Sequence, residues 1–134
     1  MSDVIDPIGA GITPQLVHLA LNGALARHAV IAANIANAQT EGYQPLVSGF
    51  DTVLERLQGR VTDRSQDDMT RQLVESLGEE MESAPASPDP RYSRVELDMQ
   101  MAALASNTLQ YEALLTAQGK LGQIMQLVIG EGKM

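Results

Sequence analysis

From Pro14 to about Ala38 the apolar positions follow a helical rhythm. One seam runs Val17, Leu21, Ala24, His28, Ile31, Ile35, Ala38, with steps alternating between four and three as in a coiled coil. A second runs Leu16, Leu19, Gly23, Ala26, Val30, Ala33. Two apolar seams imply contact on two sides of one helix. Thr13-Pro14 is a strong start signal, with Thr as the cap and Pro in the first turn. Between Pro14 and Thr40 the single full charge is Arg27. A solvated helix of that length carries several, so this one is expected to lie among other helices.

A second long pattern closes the chain. Ser93-Arg94-Val95-Glu96 reads as a capping box, and a helix is predicted from there to about Ile129, roughly 50 Å long. Its predicted seam is Leu97, Met101, Leu104, Thr108, Tyr111, Leu114 or Leu115, Gln118, Leu121, Met125 and Val128. Between Met99 and Gly130 only Glu112 and Lys120 are charged, and Gly130 and Gly132 end the helix.

The middle differs from both ends. A loop after Gln44 leads to a short amphipathic piece, Phe50 to Leu57. Ser65 to Asp68 could cap a second short helix with Met69, Leu73, Leu77 and Met81 at four-residue spacing. Ser83 to Pro90 holds three prolines and reads as a linker or extended segment. Most of the charge lies in this middle third, which is therefore expected to be the solvated or mobile part. Residues 1–12 contain Pro7, Gly9 and Gly11 and read as ordered only in a complex, if at all.

The predicted architecture is all-α: two long terminal helices in an antiparallel coiled-coil hairpin with a polar, partly irregular middle. Four segments follow: 1–12 flexible, 13–43 helix and turn, 44–92 irregular with short helices, 93–134 helix. One partner helix cannot cover both N-terminal seams. With aromatics at 3% and no Trp, such a hairpin is marginal alone and is expected to complete itself by assembly.

The net charge of −8 disfavours nucleic acid and anionic membrane surfaces as partners. With no Cys there is no disulfide framework and no thiolate metal site. The acidic start Met-Ser-Asp-Val-Ile-Asp-Pro lacks the features of a cleaved signal peptide. No uninterrupted run of 18 apolar residues suggests membrane insertion. His18 and His28 share no face with a carboxylate or with each other, so packing outweighs a metal role. Glu79, Glu80 and Glu82 lack the alternating loop that calcium requires, and read as a solvated helix end. No nucleophile elbow and no phosphate loop is present. The expectation is a non-enzyme without metal or cofactor.

The residues that carry most information are Ala32 to Tyr43, Ala-Ala-Asn-Ile-Ala-Asn-Ala-Gln-Thr-Glu-Gly-Tyr. Asn34 and Asn37 are three apart and share a helix face among small side chains. A buried amide without partners costs about 1–3 kcal/mol, so these two are read either as a polar helix end or as a device that fixes a helix or loop contact. Thr40 favours leaving the helix, Gly42 permits the left-handed turn, and Tyr43 can pack back.

This stretch resembles the signature of bacterial flagellar axial proteins: a long helix ending Asn34-Ile35-Ala36-Asn37, then Thr40, then Gly42-Tyr43, with Arg27 upstream. The likeness resumes at Leu97-Asp98, Met101, Asn107 and Tyr111, where it resembles the proximal rod proteins of the flagellar basal body. The resemblance implies a structural rod subunit, one that transmits torque and lines the export channel. Its paired terminal helices would form the inner tube. Implied neighbours are other rod proteins, the MS-ring, the rod-base adaptor protein and the export gate, within a large hetero-oligomeric helical assembly. The implied location is the periplasmic rod, reached through the flagellar type III apparatus without a cleaved signal peptide. Arg27, Asn34, Ile35, Asn37, Thr40, Gly42, Tyr43, Leu97, Asp98, Asn107 and Tyr111 are the implied assembly residues. The alternatives are the second type of proximal rod protein and, from another class, a soluble helical adaptor.

Overall fold

The computed structural model describes residues 13–58, 78–81 and 83–132. The expected export segment 1–12 lies outside the described residues, as do the cap at 65–68 and Met69, Leu73 and Leu77 of the predicted second short helix; the end of that helix, with Met81, is described and helical. The elements are α1 (Thr13–Ala36), β1 (Leu46–Val47), α2 (Gly49–Gln58), β2 (Ser87–Pro88) and α3 (Leu97–Gly132). At 1.5 Å per residue the 24 residues of α1 span about 36 Å and the 36 of α3 about 54 Å. The molecule is mostly helical, and its main contact is the packing of α1 on α3. Asn34 of α1 meets Gln100 of α3, and Arg27 meets Asn107. Contact positions thus fall on one helix as they rise on the other.

The face that α3 turns to α1 differs from its predicted seam. Gln100, Ala103, Leu104, Asn107, Tyr111, Leu114, Ala117, Leu121 and Met125 are buried or half-buried. Leu97, Met101, Thr108, Gln118 and Val128 are exposed. Leu104, Tyr111, Leu114, Leu121 and Met125 of the predicted seam stay on the inner face, while Gln100, Asn107 and Ala117 take the places expected for Met101, Thr108 and Gln118. The reason lies on α1, where Arg27 and Asn34 face α3 and require hydrogen-bond partners. Leaving them bare would cost more than exposing a few apolar side chains. On α1, Leu21, Ala24 and Ile31 are buried as the first seam predicts, but His28 is exposed and Arg27 faces inward in its place.

Part of the middle segment is not solvated. Phe50, Val53 and Met81 are buried together, with Leu19, Leu54 and Ala84 packed around them. Leu19 and Gly23 belong to the second seam of α1, so the chain itself covers part of that face. The approach is close at Gly23, where an added Cβ would run into the Phe50 ring. A larger residue in that seam would hold α2 away from α1. Other parts of the seam stay open: Leu16 and Ala26 are exposed.

The proline-rich segment contributes β2, which pairs with β1 in antiparallel register, Leu46 opposite Pro88 and Val47 opposite Ser87. A tight turn follows. Asp89 donates its backbone N–H to Pro45 O, and its carboxylate receives the backbone N–H of Arg91 together with that residue's guanidinium. The capping box at Ser93–Glu96 is not used as a helix start. The backbone stays non-helical to Glu96, and the Gln100 N–H reaches back to Glu96 O. The first turn of α3 instead carries Gln100, whose side chain accepts from Asn34 of α1. At the same end of the fold, α1 stops at Ala36, two residues before the expected limit.

By length and composition α1 could cross a membrane, although it contains no uninterrupted apolar run. The same composition suits a helix enclosed by other helices. Two of its polar residues, Arg27 and Asn34, are bonded within the chain.

Candidate assembly site

Two polar clasps hold the helices and the middle segment in register. The first is built on Asn34, which is 2% exposed. Its Oδ1 accepts from the Tyr43 hydroxyl and from the Leu46 N–H, both at 2.9 Å. Its Nδ2 donates to Leu46 O at 3.0 Å and to Gln100 Oε1 at 3.4 Å. Both amide hydrogens and both acceptor positions are used. Asn34 therefore joins three parts of the chain: α1, the loop that leaves it, and the first turn of α3.

Asn37 behaves differently, although it shares the face. It is half-buried, and its Nδ2 donates back to Ala33 O at 2.9 Å while its Oδ1 accepts from Thr40 Oγ1 at 3.2 Å. Those bonds close the helix end. The Thr40 N–H binds Asn37 O, and the Tyr43 N–H binds Thr40 O. Gly42 stands at φ 77 with open space where a Cβ would be, so here glycine supplies conformation, not clearance. The turn swings Tyr43 back onto Asn34. The two asparagines thus do not act as a pair toward one partner: Asn34 holds the fold across helices, and Asn37 finishes a helix.

The second clasp is built on Arg27. Its guanidinium forms a two-pronged ion pair with Asp51 of α2, through Nε to Oδ2 at 2.9 Å and through Nη2 to Oδ1. Nη1 donates to Asn107 Oδ1 at 3.1 Å and to Gln110 Oε1 at 3.4 Å on α3. Asn107 is buried and donates in turn to Ala24 O at 2.9 Å. One planar side chain therefore connects three helices, a task suited to the fixed fork of Arg and beyond a single ammonium. The hydrogen bonds it donates to Asp51 raise the guanidinium pKa above its ordinary value, burial opposes this, and the Asp51 charge adds to the rise. Arg27 stays charged throughout the physiological range. Among the described residues, no buried side-chain nitrogen or oxygen lacks a hydrogen-bond partner.

The remaining residues implied by the resemblance are more dispersed. Ile35 is half-buried at the end of α1. Leu97 opens α3 and is exposed, and Asp98 is exposed in its first turn, where a carboxylate suits the helix dipole. Tyr111 is half-buried one turn beyond Asn107. The structure thus gathers Asn34 with Tyr43, and Arg27 with Asn107, into separate clasps. Sequence reasoning missed Leu46, Gln100, Asp51 and Gln110. The available signal was Arg27 itself: a lone charge in an apolar helix calls for a carboxylate, and Asp51 lies in the first turn of the nearest amphipathic piece. Among the described residues there is no group of three or more His, Asp or Glu placed to hold a metal ion.

The family model described as "Flagella basal body rod protein" matches residues 19–44, a span holding Arg27, Asn34, Asn37 and the turn to Tyr43. The chain is also 30% identical over 120 residues to "Flagellar basal body rod protein FlgB" of Escherichia coli (strain K12), an alignment covering 81% of this chain and 87% of that relative. The chain belongs to the flagellar basal body rod protein family. The protein of the same name from Shigella flexneri aligns equally well, at 30% identity over 120 residues. The alignment extends well past the motif, so it takes in both clasps and part of the middle segment.

Proposed function

We propose that this chain is a structural subunit of the basal-body rod, in the proximal position that its FlgB relatives suggest. The observation that carries this reading is the 30% identity across 87% of a FlgB protein. In this reading α1 and α3 form an antiparallel coiled-coil hairpin that lines the central channel. Both are nearly free of charge, which suits a wall closed by packed helices. The Arg27 clasp fixes α2 to the hairpin, so load on the middle segment reaches the terminal helices without a loose joint. Torque transmission needs that stiffness.

Leu97, Met101, Leu109 and Leu115 stand exposed on α3 and supply apolar surface to neighbouring subunits. Those neighbours are other rod proteins, with the MS-ring, the rod-base adaptor and the export gate at the base. The chain reaches the periplasmic rod through the flagellar type III apparatus with an uncleaved N-terminal signal. Nothing in this role calls for catalysis or a cofactor.

The test is a strain lacking the gene, complemented with a tagged copy, followed by a reconstruction of purified basal bodies. The chain is expected as density in the proximal rod, and the uncomplemented strain is expected to build no rod. Complete basal bodies without this chain, or a tagged chain found only as a cytosolic monomer, would overturn the proposal. Density in the adjoining position, that of the FlgC type, would move the subunit within the rod.

A further inference from the structure

Gly23 lies in the middle of α1, a place where glycine is a poor helix former. The Phe50 ring explains it, because an added Cβ would overlap that ring. The close packing leaves no room for the side chain that would shield the Gly23 backbone nitrogen. The residue before it is Asn22, so the packing of α2 obliges the chain to carry an Asn-Gly pair. The chain's other three asparagines, Asn34, Asn37 and Asn107, are followed by Ile35, Ala38 and Thr108, each with a Cβ beside the nitrogen.

An unshielded backbone nitrogen next to an asparagine side chain is a nucleophile beside an electrophile. The Gly23 nitrogen adds to Asn22 Cγ, the Cγ–Nδ2 bond breaks, and the Gly23 hydrogen leaves with the amide nitrogen as ammonia. A five-membered imide remains. Water opens it at Cγ to give aspartate, or at the main-chain carbonyl to give isoaspartate. No further reactant is needed. Ring closure requires a backbone conformation that a free Asn-Gly pair visits readily and a helix does not. In α1 the half-buried Asn22 leans back one turn, its Nδ2 standing 3.3 Å from His18 Nε2. Helical geometry meanwhile aims the Gly23 N–H at the carbonyl of Leu19.

We propose that Asn22–Gly23 is a site of spontaneous deamidation, held closed by the folded α1 and open in the unfolded chain. Isoaspartate at this point puts an extra methylene into the backbone between Leu21 and Ala24, both of which are buried against the rest of the fold. A chain that waits unfolded is thereby marked irreversibly, and a chain that has folded is spared. The inference rests on local chemistry and packing, and it does not depend on the chain being a rod subunit.

The purified full chain is incubated at mildly alkaline pH, in buffer at a temperature where circular dichroism shows the helices intact, and at the same temperature in urea. Peptide mass spectrometry reads conversion at each asparagine, and Asn22→Gln supplies the background. In urea Asn22 is expected to convert about tenfold faster than Asn34, Asn37 and Asn107, because glycine alone leaves the nitrogen open. In buffer the rate at Asn22 is expected to fall by about tenfold or more, as for a reaction that must await local opening. Gly23→Ala is measured in urea, where the Phe50 contact no longer matters; it restores the shielding methyl and is expected to slow Asn22 several-fold. Equal rates in buffer and urea would overturn the proposal, since the fold would then close nothing. So would conversion of Asn22 in urea no faster than at the other three asparagines, or an unchanged rate in Gly23→Ala, since the glycine would then confer no reactivity.

Discussion

Replacing Asn34 by Leu tests the first clasp, because Leu improves helix propensity and keeps the site apolar. An account based on local helix formation expects no harm. In the structure the change removes four hydrogen bonds at a position 2% exposed. The Leu46 N–H and C=O both lose their Asn34 partner. Leu46 is half-buried, so the low end of the usual range applies, about 1 kcal/mol for each group. The Tyr43 hydroxyl and Gln100 amide can turn to water and add about 1 kcal/mol together. The extra apolar burial of Leu returns about 1 kcal/mol.

The net cost is then about 2 kcal/mol, which at a urea slope near 2 kcal/mol/M lowers the midpoint by about 1 M. Asn37→Leu is the matched control. Ala33 O keeps the backbone N–H of residue 37 at 3.0 Å, so no acceptor is stranded, and the shift should stay below about 0.5 kcal/mol. Circular dichroism of the purified single variants in urea measures both, and swimming in soft agar gives the cellular readout. Equal shifts for the two variants, or an unshifted Asn34→Leu midpoint, would refute the distinction drawn between them.

Asp51→Ala and Asn107→Ala should be non-additive in a double-mutant cycle by about 0.5–3 kcal/mol, because both act through Arg27; strict additivity would dissolve the second clasp. Gly23→Ala should destabilise by about 1–3 kcal/mol through contact with the Phe50 ring, and adding Phe50→Leu should recover part of that; no recovery would place the cost elsewhere. The hydrogen bond from Arg91 holds the Asp89 carboxyl below its ordinary value of 3.8. A depressed carboxyl stabilises the fold above its unfolded pKa, and this contribution fades as pH falls below about 4. Asp89→Asn should therefore flatten the acid limb of a stability profile; an unchanged limb would show that other carboxylates control it. Deleting residues 2–12 should retain the protein in the cytosol, as fractionation of cells and culture medium would show; normal secretion would free that segment of any role in export.

The two terminal helices were legible because each repeats its apolar rhythm over many turns, and a long repeat averages out local exceptions. The places of Gln100 and Asn107 on the inner face of α3 were not legible. Periodicity ranks Leu97 and Met101 above Gln100 and Asn107, and only the partner helix reveals that Arg27 and Asn34 need those amides. The buried Phe50–Met81 cluster was hidden for a related reason: its members lie 31 positions apart within a charged stretch, and no local pattern joins them. Asn34 stood out from sequence as an amide among small residues. Its task did not, because the groups it binds on Leu46 belong to the backbone, which no side-chain pattern records. The capping box at Ser93 misplaced the start of α3, which begins at Leu97.

The hold of Asn34 on Leu46 also bears on solubility. A two-stranded ladder has two open rims, and each is a template on which another chain can lay a strand. Opposite Leu46 stands Pro88, which has no N–H to offer. On its other side Leu46 meets a carboxamide that gives one hydrogen and takes one, as a neighbouring strand would. The side chain thus serves as a one-residue surrogate strand and closes that rim. For a protein that must be packed at high local density, this keeps a stray β-partner from seating beside β1 and leaves lateral contact to the helices.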